Sequence, residues 1–126
     1  MNTSSALISA GEALTQIEHT LDLVDARRAD LAPHDRLAWL RLARRVQGRV
    51  EALTVQLTAE AEQSQASLRA TGTPLASWLG VGENLSRREA AAAVLQARTL
   101  AEHPAVGRAA TAGRVSPGQA QAIGRV

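Results

Sequence analysis

A chain of 126 residues has room for one domain, or for two small helical units sharing a core, and at that length roughly 65% of the unfolded surface is expected to be buried. It holds no cysteine, which excludes a disulfide framework and a thiolate metal site, and no apolar run approaches the ~20 residues that a membrane helix requires. The net charge of +2 is unremarkable in size but uneven in placement: residues 1–70 carry eight Arg against nine acids, whereas residues 84–126 carry six Arg against two.

Nothing at the start of the chain reads as a signal peptide, so a soluble, cytoplasmic protein is expected, without a membrane partner. Trp39 and Trp78 are the sole aromatics. A core drawn from Leu, Val and Ala favours helices packed on helices and has little β-propensity; the expected fold class is all-α. Every Lys/Arg position is Arg, which a GC-rich genome writes by default. Arginine identity therefore carries no weight here, and only the charge asymmetry does.

The first helix is expected to begin near Ser4 or Ser9, where Ser9-Ala10-Gly11-Glu12 offers a capping box. Leu7, Leu14, Ile17, Leu21 and Val24 form one apolar stripe along it. A charged connection over 25–30 leads to Pro33, suited to the first position of a second helix, with Ala32 a poor cap before it. From Pro33 to about Arg69 no residue signals a stop. Trp39, Ala43, Val46, Val50, Leu53, Leu57, Ala61, Ser64 and Leu68 step by three or four, close to a heptad seam. Such a helix of some 36 residues would span roughly 54 Å, ending at Thr71-Gly72 with Gly72 left-handed.

Thr73-Pro74 then restarts the chain as cap and first residue, opening a short helix that carries Trp78. A glycine-bearing turn follows, and Ser86 with Glu89 forms a second capping box. The helix from Ser86 to about Glu102 has a face of small residues, Ala90, Ala93, Ala97 and Ala101, with Val94 and Leu100 beside it. Arg87 and Arg98 lie eleven residues apart, three turns and roughly 16 Å along one side, on the face expected to point outward with Gln96. Helix, turn and tightly packed helix make a helix-turn-helix-like element. His103-Pro104 stops this helix, a further one runs through Ala112 to Gly113, and Ser116-Pro117-Gly118-Gln119 is a third capping box. The final helix carries no stop signal before Val126, as in a segment cut from a larger protein.

No catalytic constellation assembles. His19, His34 and His103 lack ligand spacing; Glu18, His19 and Asp22 share a helix surface but read as a solvated face. Gly80-Val81-Gly82 lacks the strand, the third glycine and the Lys of a phosphate loop. No cofactor, metal or small-molecule ligand is indicated.

Several segments together resemble a known family: Thr73-Pro74-Leu75-Ala76-Ser77-Trp78-Leu79, then Leu85-Ser86-Arg87-Arg88-Glu89-Ala90, then Arg98-Thr99-Leu100-Ala101-Glu102-His103-Pro104, and Ala109-Ala110-Thr111-Ala112-Gly113-Arg114-Val115-Ser116-Pro117-Gly118-Gln119-Ala120. Their order and spacing, from about residue 35 onward, are similar to domain of unknown function 222, a helical region upstream of HNH endonuclease domains in actinobacterial proteins. His103 stands where that pattern has a leucine. The resemblance implies a nuclease signature beyond residue 126, so that no HNH ligand falls on this chain and the segment itself is not an enzyme.

The expectation is thus a long helical hairpin over 1–72 and a compact, truncated helical subdomain over 73–126, both in one folding unit. Two functions of different class stay open. A non-catalytic accessory domain would engage double-stranded DNA weakly through Ser86, Arg87, Arg88, Arg98 and Arg114. A dimerisation or protein-interaction module would use the distal seam at Leu53, Leu57 and Leu68, for instance as a homodimer through the long helix.

Overall fold

The computed structural model describes residues 6–124; Ser4, the alternative start of the first helix, and Arg125 lie outside them. The described residues contain helices and no strand, the all-α class that the composition implies. In chain order the helices are α1 (Ala10–Asp22), α2 (Pro33–Gln63), α3 (Ala66–Thr71), α4 (Leu75–Gly82), α5 (Arg87–Ala101), α6 (Pro104–Thr111) and α7 (Pro117–Gly124). By internal packing the chain divides into residues 1–36 and 37–126, where turn signals drew the line at residue 72. The physical reason lies in α2, whose second half supplies core residues to the C-terminal helices.

In the first unit, Ser9 caps α1 by accepting from the Glu12 amide at 3.1 Å, and no residue of α1 is buried. The ends of the expected stripe, Leu7 and Val24, fall outside the helix. Asp25 accepts from the Arg27 guanidinium and amide. These two bonds, the side-chain one first, hold its carboxyl below the ordinary value of 3.8.

Helix α2 starts at Pro33, its first turn closed by the Arg36 amide on the Ala32 carbonyl at 2.9 Å. It does not run to Arg69. Its 31 residues, roughly 46 Å, end at Gln63, because Gln65 adopts a left-handed conformation (φ 54°) and resets the chain into α3. A left-handed L-residue costs on the order of 1–2 kcal/mol, so packing must hold it there; α3 buries Ser67 and contacts α4. Without glycine, asparagine or proline at 63–66, the sequence gives no sign of this break.

The face that α2 buries also differs from the expected seam. Ala52 and Ala59 are buried, with Val55 and Gln56 half-buried between them, a stripe about one residue out of phase with Leu53 and Leu57. Alanines permit the closer approach. Leu53 is half-buried, while Leu57 and Leu68 are 36% and 46% exposed.

Helix α4 begins one residue later than expected, with Pro74 rather than Thr73 as the flanking residue and no side-chain cap. It runs through Gly80 and Gly82, so the turn to α5 is made by Glu83 and Asn84, with Asn84 as the left-handed residue (φ 55°). Helix α5 is the hub: it contacts α4, α6 and α7 and buries Ala90, Val94, Ala97 and Leu100. The core joins Ala52, Leu100, Ala110 and Ala120, flanked by Val55, Val106 and Val115. These are small side chains, so the helices meet backbone to backbone more than through large apolar residues.

Candidate functional site

At the start of α5 both halves of the capping box form. The Ser86 hydroxyl accepts from the Glu89 amide at 3.0 Å, and the Glu89 carboxylate accepts from the Ser86 amide at 3.1 Å. The Ser86 amide and then its hydroxyl hold the Glu89 carboxyl below its ordinary 4.5. A negative charge therefore already sits at the positive end of the helix dipole. Arg87 and Arg88, both exposed, project from the first turn.

Three turns on, Arg98 does not stand free on an outward face. Its guanidinium pairs with the Glu62 carboxylate on α2 at 2.6 Å, Glu62 being 26% exposed. A pair so exposed on its Arg side contributes about 0.2–1 kcal/mol, and it turns part of the expected arginine face towards α2. Gln96 is likewise not an outward amide: it is half-buried and lines a cleft. That cleft, of about 310 Å³, lies between α2, α5 and α6, with Ala52, Val55, Ala59 and Leu100 as apolar walls and Gln56 and Gln96 among its polar edges.

Arg114 is placed by the end of α6. Gly113 takes the left-handed conformation (φ 82°), its amide donates to the Ala110 carbonyl, and the Arg114 amide donates to Ala109 at 2.8 Å, a Schellman motif. The following residues, Ser116 and Gln119, form a full capping box at 2.8 and 3.1 Å, closed by an amide and not by a carboxylate.

This turn brings Arg114 to arginines that the charge sums over 1–70 conceal. Residues 36–50 hold five Arg and no acid, and Arg44, Arg45 and Arg49 of α2 line with Arg114 a pocket of about 220 Å³. Arg49 is anchored, its Nε donating to the Thr111 carbonyl at 3.0 Å. The Thr111 hydroxyl in turn lies 2.9 Å from Gln56 Oε1. A charge count in short windows, in place of halves, would have shown this run.

Of the expected residues, then, Ser86, Arg87 and Arg88 cluster at one end of α5, Arg98 is drawn to Glu62, and Arg114 joins α2. Among the described residues no group of three or more His, Cys, Asp or Glu is placed to hold a metal ion, and no helix is long and apolar enough to cross a membrane. Comparison of the chain with protein-family models, curated proteins and solved structures returns no match.

Proposed function

We propose that this chain is a non-catalytic, cytoplasmic helical accessory domain, of the kind that precedes an HNH nuclease domain, and that it holds duplex DNA weakly and without sequence preference. The observation that carries this reading is free cationic surface. Among the described residues beyond Ser86, Arg87, Arg88, Arg108 and Arg114 are exposed and make no ion pair; Arg98 alone does. Unpaired cations neutralise phosphates, and each phosphate neutralised adds about −0.9 to the slope of log affinity against log salt.

The test is fluorescence anisotropy of a short labelled duplex at 50 and 200 mM salt. Wild type should bind at the lower salt and lose roughly tenfold at the higher, and Arg87→Ala/Arg88→Ala should bind several-fold more weakly. No wild-type binding at 50 mM ends the reading.

The exposure of Leu57 and Leu68 favours a second reading, a dimerisation or protein-interaction module with no nucleic-acid role. Sedimentation of the same sample would then give a mass that rises with concentration.

A further inference from the structure

We propose that the pocket walled by Arg44, Arg45, Arg49 and Arg114 seats phosphates of the DNA backbone, making α2 and the α6–α7 turn, not the start of α5, the principal contact surface. The inference rests on the DNA-binding reading above and names its site.

Four arginines from two separate elements line one concavity, and among the described residues none that lines it is acidic. At about 220 Å³ it is smaller than the roughly 300–1,000 Å³ of pockets that enclose a small-molecule ligand. That size suits an ionic group presented from outside.

One of its cations is fixed in place, Arg49 by the Thr111 carbonyl, and the backbone of Arg114 is positioned by the left-handed Gly113 and by its amide bond to Ala109. Close approach is part of the design, since a Cβ added at Gly113 would stand 3.2 Å from Arg49 Cδ. Gly48 keeps the α2 wall free of a side chain between the arginines. The Ser116–Gln119 box beside the pocket is neutral, in contrast to the Glu89 carboxylate that occupies the start of α5.

Arg41, Arg45 and Arg49 repeat every fourth residue, a row of cations advancing about 6 Å per step along one side of α2. A regular row of cations that extends beyond a pocket fits a ligand carrying one charge per repeat, as a nucleic-acid backbone does.

The test compares wild type, Arg44→Ala/Arg45→Ala and Arg87→Ala/Arg88→Ala in the anisotropy assay, with salt titrations from 50 to 200 mM. Both α2 positions are exposed and alanine is the best helix former, so circular dichroism should show an unchanged fold. Arg44→Ala/Arg45→Ala should lose about tenfold in affinity at 50 mM and flatten the salt slope by about two, more than the α5 variant does. Wild-type binding with an unchanged affinity and slope in the α2 variant would overturn the pocket alone. Absence of wild-type binding would overturn the DNA reading and the pocket with it. Displacement of the duplex by a poly-glutamate peptide at equal charge concentration would assign the pocket to an acidic protein segment and overturn the DNA assignment.

Discussion

Glu89 shows how one side chain serves folding at the expense of anion binding. Its carboxylate and the Ser86 hydroxyl satisfy two of the amides that every helix leaves without partners at its start. The same bonds hold its carboxyl below the ordinary value. The unfolded chain therefore takes up this proton at a higher pH than the folded one, and stability rises with pH across that interval. The contribution is complete above the ordinary carboxyl range and is lost as the pH falls through the depressed folded value. Melting curves of wild type and Glu89→Gln between pH 3 and 7 check it. Wild type should melt higher at pH 7, and the difference should shrink as the pH drops below about 4.5. A constant difference across the range would show that the carboxylate charge contributes nothing to the cap.

At the scale of the element, α5 and α2 present two kinds of buried alanine. Ala90 is 1% exposed and packed on all sides, so Ala90→Leu should overpack the core and cost about 1–3 kcal/mol. Ala59 on α2 is also buried but lines the cleft that faces α5. There Ala59→Leu has space to fill and should gain about 0.5–2 kcal/mol. Urea unfolding midpoints of the two variants decide it, and a loss of equal size in both would mean that the cleft walls are as rigid as the core. These elements were largely legible in the residues. The boxes at Ser86 and Ser116, the cap at Ser9 (where only the serine half of the expected box forms), Pro33, Gly113 and the alanine face of α5 each announce a cap, a start, a stop or a close approach by local chemistry. Gln65 announces nothing, because a left-handed glutamine is imposed by tertiary packing against its own preference. The rotation of α2 away from its leucine seam has the same origin: periodicity identified a helix, but the neighbours selected Ala52 and Ala59 over Leu53 and Leu57. Of the candidate site, the arginines at 87, 88 and 114 were legible as a charge excess. The pocket was not, since its cations lie some 65 residues apart in sequence and meet through the turn at Gly113.

Across the whole molecule, charge and core follow different partitions. The halves of the sequence differ in net charge, yet the arginine pocket draws on both, because α2 belongs with the C-terminal helices. The core of the larger unit, Ala52, Leu100, Ala110 and Ala120 with Val55, Val106 and Val115, lies wholly within residues 37–126. Alpha-helix α1, in contrast, buries none of its residues. A chain beginning at Pro33 keeps the natural start of α2 and every buried residue of that core. It should therefore unfold in urea at the midpoint of the full chain, with a similar slope, since the slope follows the surface exposed on unfolding. It should also retain duplex binding, because Arg41, Arg44, Arg45, Arg49 and Arg114 are all present. Far-UV circular dichroism, urea titration and the anisotropy assay on the shortened chain give the answer together. A lower midpoint would show that residues 1–32 stabilise the larger unit, and an unchanged midpoint with lost binding would place the DNA contact on those residues instead of on α2.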